Sequence, residues 1–108
     1  MEQLTVTQKS GGNYILYKLD GVFNAYTAPS AQNKIYDGIK EHNVVLDMSG
    51  IVGMDLAAVG IIMSAHNDAA EAGTTLYLLS LSNEAEKEIN ATGFKDLLKI
   101  INSVTEVK

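Results

Sequence analysis

The sequence contains no cysteine, no tryptophan and no arginine, and only one proline. Without cysteine there is no disulfide framework, no thiolate nucleophile and no cysteine-ligated metal, which fits a reducing compartment. Without arginine there is no guanidinium fork for bidentate phosphate or guanine recognition, and the eight lysines face thirteen carboxylates for a net charge of −5. Nucleic acid and anionic membrane surfaces are therefore disfavoured as partners. The opening residues, MEQLTVTQKSGG, lack a basic segment followed by an apolar run. Nowhere do 18 uncharged apolar residues follow one another, so no direct membrane insertion is expected and a cytoplasmic location is the expectation.

The 108 residues are 46% hydrophobic and 19% charged, the balance of an ordinary globular chain. A length of this order suits one domain, here residues 1–108, that buries ~65% of its unfolded surface. Leu4 and Val6 alternate with Gln3, Thr5 and Thr7. After the turn-forming Lys9-Ser10-Gly11-Gly12-Asn13 comes Tyr14 to Leu19, so the pair predicts a hairpin. Asp20-Gly21 marks a break, and Thr27-Ala28-Pro29 predicts a helix start with Thr27 as cap and the proline in the first turn. Ala31, Ile35 and Ile39 then share one helix face, and Glu41-His42-Asn43 closes it.

Val44 to Met48 is an apolar run carrying one acid, the pattern of a strand covered on both faces in a parallel sheet. Ser49 to Met54 is expected to be a loop, and Asp55 to cap a second helix that runs to about Ala72, stopped by Gly73. A strand over residues 74–81 and a helix capped by Ser82, with Ala85 and Ile89 inward, follow. Phe94, Leu97 and Leu98 pack a last helical turn around Asp96. Lys99-Ile100-Ile101 is open between a short strand and a continuation of that turn. The order ββαβαβα with a tail contains no internal repeat, linker or low-complexity segment.

Catalytic constellations are missing. His42 and His66 have no carboxylate at metal-ligand spacing, so neither a metal nor a cofactor is expected. Gly50-Ile51-Val52-Gly53 matches neither phosphate-binding glycine pattern. Glu84, Glu86 and Glu88 fall at spacings of two, which spreads them around a helix, and they are expected to be solvated. Asn90-Ala91-Thr92 fits the glycosylation acceptor pattern, but with no secretory signal it carries no expectation.

Three stretches, in order, resemble the anti-sigma factor antagonist family, the bacterial STAS domain. They are Leu19-Asp20-Gly21 with Asn24 to Pro29, then Val44 to Gly50, then Met54-Asp55 running into Val59-Gly60. Gly73 to Leu76 and Thr92-Gly93-Phe94 extend the resemblance over about the whole chain. It implies an α/β fold, a single STAS-like domain with a four- or five-stranded mixed sheet and helices packed mainly on one face. It further implies a non-enzymatic module that binds an anti-sigma factor or related ATP-binding kinase and so relieves sigma-factor inhibition. In switchable members the loop entering the second helix reads Asp-Ser-Ser-Gly-Leu-Gly or a close variant, and the kinase phosphorylates the first serine.

Here that stretch reads Asp55-Leu56-Ala57-Ala58-Val59-Gly60. The acceptor position is Leu56, the neighbouring hydroxyl position is Ala57, and Asn24 stands where many relatives carry Asp. The resemblance places the partner-binding surface on Asn24, Tyr26, Asp55, Leu56, Ala57 and Val59. Leu56 cannot carry a phosphate or imitate one, having neither charge nor acceptors. Two roles stay open for it: an apolar contact to a partner, or a core position with Asp55 merely capping the helix. Ser49, Thr27 and Ser64 are the other nearby hydroxyls, with turn bonding, N-capping and helix-face solvation as their ordinary roles. STAS-like domains also serve as cytosolic subunits of membrane transporters, including lipid-transport ATPases, and that role needs no acceptor serine.

Overall fold

A computed structural model describes residues 3–108. Five strands form one sheet in sequence order: β1 (Leu4–Ser10), β2 (Ile15–Phe23), β3 (Val44–Met54), β4 (Leu76–Leu79) and β5 (Lys99–Ile101). The β1–β2 hairpin is antiparallel, and every later pairing is parallel. A right-handed crossover is the usual consequence of such parallel neighbours. Helices α1 (Pro29–Ile39), α2 (Leu56–Ala72) and α3 (Asn83–Thr92) supply the crossovers. All three bury their apolar positions against the same sheet face. There Leu19, Phe23, Leu46, Met48 and Leu78 meet Ile35 and Ile39 of α1, Ala58, Ile62 and Ala65 of α2, and Ala85 and Ile89 of α3.

The other sheet face carries a smaller apolar stripe, Val45, Tyr77, Leu79 and Ile101, with Tyr14 and Leu16 beside it. No helix covers it. The chain end folds back over it instead, seating Val104 and Val107 on the stripe. Asn13 Nδ2 donates to the Val107 carbonyl at 3.2 Å, and Lys108 N–H donates to the Tyr77 hydroxyl oxygen at 3.3 Å. Val44 and Val45 are thus both fully buried although they point to opposite faces.

Three sequence expectations are corrected. Asp20-Gly21 does not end β2, and Ser49 to Met54 is strand rather than loop. The two strands stay paired to Phe23 and Met54 through register shifts between Lys18 and Asp20 and between Gly21 and Val22. Gly21 sits at φ +117°, where a Cβ would collide with the Gln3 carbonyl. Gly50 leaves room for the Asp20 carboxylate. Glycine here permits an irregular strand instead of a turn. Nor does Thr27 cap α1: the N-cap is Ala28, with no side-chain bond.

Candidate functional site

The parallel strands β2 and β3 end side by side, so their C-terminal connections, residues 24–28 and Asp55, form one surface. Asp55 lies in extended backbone at φ −122° and is the N-cap of α2. One of its carboxylate oxygens, Oδ1, accepts from Ala58 N–H at 3.0 Å. The other, Oδ2, accepts from Ala25 N–H at 3.2 Å, and Asp55 N–H donates to the Phe23 carbonyl at 3.3 Å. A single side chain thereby ties the start of α2 to the β2–α1 connection. A carboxylate suits the place because it has acceptors for two amides and its charge faces the positive end of the helix dipole.

Asn24 organises the connection from within. Its Oδ1 accepts from Tyr26 N–H at 2.9 Å and Thr27 N–H at 3.1 Å. Its own N–H donates to Thr27 Oγ1 at 2.9 Å, and that hydroxyl donates to the Val22 carbonyl at 2.7 Å. Both Asn24 and Thr27 are only 9% exposed. This is an Asx turn closed by a threonine, and it consumes the polar groups that the sequence suggested for a partner or a cap.

What the platform presents is apolar. Tyr26 is 87% exposed and Leu56 66% exposed, so Leu56 is not a core residue. Ala57 and Gly60 are exposed on the same turns of α2, while core burial begins at Ala58. Val59 is 1% exposed and packs inward, which removes it from the expected contact surface. Its valine methyls fall on the α2 stripe that runs on to Ile62. Of the six residues expected to meet a partner, then, Tyr26, Leu56 and Ala57 lie on the surface. Asp55 and Asn24 hold the connections in place, and Val59 anchors the helix from beneath.

Ser49 is exposed on β3 and donates to Asp47 Oδ1 at 2.8 Å, and Ser64 is exposed on α2. Among the described residues, no group of His, Asp or Glu is arranged to hold a metal ion, and no helix is long and apolar enough to cross a membrane.

A mixed five-stranded sheet with α1–α3 on one face and the start of α2 displayed at the strand ends defines an α/β module of the STAS type. The sequence matches the STAS domain family over residues 5–107, and the chain belongs to that family. No curated protein matches it in sequence. Among solved structures it is similar to an anti-sigma factor antagonist from Mycobacterium paratuberculosis, at TM-score 0.83 and 13% identity, covering 95% of this chain and 89% of that one. It is also similar to the Bacillus cell fate determinant SpoIIAA. The unphosphorylated form of that anti-sigma factor antagonist aligns at TM-score 0.77 and 14% identity, covering 94% of this chain and 90% of that one. A third likeness is to SLC26A9, at TM-score 0.72 and 14% identity, where 92% of this chain aligns with 19% of a much longer one.

Proposed function

We propose that this chain is a non-enzymatic, cytoplasmic protein-binding module that docks an anti-sigma factor, of the ATP-binding kinase type, through the start of α2. The observation that carries this is the pairing of two strongly exposed large apolar side chains, Tyr26 and Leu56, with a platform fixed by the two hydrogen bonds of Asp55. Exposed apolar groups on a rigid base mark interaction surfaces, and burying Leu56 at an interface contributes up to ~2 kcal/mol. A phosphate at this position would add about −1.5 to −2 charges, and desolvating it against apolar contacts would oppose binding. With Leu56 and Ala57 there, the module binds without that control. It is a constitutive antagonist.

The test uses purified anti-sigma kinases from the source cell with and without ATP. The wild-type chain should bind one of them with an affinity that ATP does not lower through this site, and give no phosphopeptide within residues 49–63. Leu56→Ser should accept phosphate and then bind more weakly. Failure of both forms to bind any such kinase would overturn the proposal. Phosphate on wild-type Ser49 or Ser64 with a matching loss of affinity would show that control had moved to another residue. A second reading, a subunit of a membrane transporter, is favoured by the SLC26A9 likeness, in which this fold is one part of a longer chain. It predicts co-purification with a membrane-fraction ATPase instead.

A further inference from the structure

Glycine is the poorest helix former after proline, so a glycine inside a helix calls for a reason. In α1 the reason is internal: a Cβ on the buried Gly38 would stand 3.1 Å from both the Tyr17 hydroxyl and a Val44 methyl. Helix α2 offers no such reason for Gly60. It is the fifth of 17 helical residues, clear of both caps, and its φ is not positive. A Cβ there would meet nothing within 4 Å among the described residues, beyond its chain neighbours and the helix's own backbone. Even Met63 and Ser64, the residues whose side chains would lean back over this turn, stop short of it. Helix stability is given up at Gly60, and among the described residues no packing is gained for it.

On the outside, the position is well placed. Residues three and four apart are neighbours on a helix, so Gly60 adjoins Ala57 and Leu56 at the start of α2. All three are exposed, and no residue from Leu56 to Ala65 is charged. Leu56 is a knob, and Gly60 beside it is a hollow floored by a bare Cα. Surface free of charge and shaped in this way suits the centre of an interface, where charged residues are depleted. We infer that Gly60 is the point of closest approach in the docking proposed above, where the main chain of the anti-sigma factor packs on the Gly60 Cα while Leu56 seats beside it. The inference rests on that reading and adds to it a residue that decides which partners the surface accepts. With no Cβ between them, the two backbones come near enough for Cα–H···O contacts. The matching surface of the anti-sigma factor therefore has a small residue facing Gly60 and an apolar hollow for Leu56. A single added methyl group at Gly60 would hold the two chains apart.

The test pairs stability with binding, because a residue that served the fold alone would not move them in opposite directions. Gly60→Ala should raise the thermal midpoint by ~4 °C, as a better helix former in open space, and should weaken binding to the anti-sigma kinase of the source cell about tenfold or more in titration calorimetry. Gly60→Leu should weaken binding further. Asn67→Ala, exposed seven residues along the same helix, is the control. It should also raise the midpoint, by ~2 °C, and leave the affinity within about twofold of wild type. A midpoint that fails to rise in Gly60→Ala would overturn the inference whatever the binding, since the glycine would then have a use within the fold. Full affinity in Gly60→Ala, with the wild type binding, would overturn it and leave the docking reading standing. Equal weakening by Asn67→Ala would overturn it as well, by assigning the effect to a stiffer helix and not to a close approach. A wild-type chain that binds no such kinase would overturn the docking reading and this inference with it.

Discussion

Replacing Asp55 by alanine removes both the cap of α2 and its tie to the β2–α1 connection. The lost Ala58 bond is an N-cap, contributing ~1 kcal/mol, and the lost charge at the helix start contributes a further ~0.5 kcal/mol. The Ala25 bond is longer, at 3.2 Å, and exposed, so it contributes ~0.5 kcal/mol. The sum is ~2 kcal/mol. For a domain of this size that lowers the urea midpoint by ~1.5 M and the thermal midpoint by ~8 °C. Asp55→Asn separates the two contacts. Its amide oxygen can still accept from Ala58 N–H, whereas its NH₂ cannot accept from Ala25 N–H, so about half the loss is expected. The measurement is urea unfolding followed by circular dichroism for the wild type and both variants. An unchanged midpoint with an unchanged slope for Asp55→Ala would refute the account of this residue as the joint between helix and loop.

Leu56→Ala should leave the unfolding midpoint within ~0.5 kcal/mol of wild type, because the side chain is exposed, and should weaken partner binding in a titration calorimeter. Gly21→Ala should destabilise by more than ~2 kcal/mol in urea unfolding, since φ +117° and the Gln3 carbonyl both exclude a Cβ. Val107→Ala should lower stability by ~1 kcal/mol by uncovering part of the outer apolar stripe, measurable as a thermal shift. Burial first, and the Asp37 charge second, raise the Tyr17 phenol above its usual 10. The folded state then holds the proton more tightly than the unfolded one. The contribution of Tyr17 to stability should be level below pH 10 and fall as pH rises from there towards the raised folded value, which denaturant titrations at alkaline pH can follow. Tyr17→Phe should flatten that fall.

The helices were legible because their signals are local. Ala31, Ile35 and Ile39 fall on one face whatever surrounds them, and Asp55 and Ser82 are caps by chemistry as much as by position. The long ends of β2 and β3 were not legible. Their Asp20-Gly21, Ser49-Gly50 and Gly53 carry turn chemistry, and only the partner strand, with its register shifts, makes them strand. The orientation of Leu56 against Val59 was equally hidden. The first turns of α2 are apolar nearly all round, so periodicity could not say which side faced the sheet. Thr27 looked like a cap because caps and closed Asx turns use the same residue types. The strap made by Val104 and Val107 is two valines in a short tail, too brief to leave a pattern.

The division of labour at the start of α2 has a bearing on how such a module can change over generations. The capping interaction belongs to Asp55, and core burial begins only at Ala58. The two positions between them serve neither. They stand on the outside of a turn whose backbone is fixed by its neighbours, so serine, leucine or alanine there alters the folding free energy by only ~0.5 kcal/mol. On the docking proposed for this surface, what they alter is whether it answers to a kinase. A lineage can therefore discard phosphate control by one or two codon changes, and regain it as easily, while the scaffold accumulates no debt in stability.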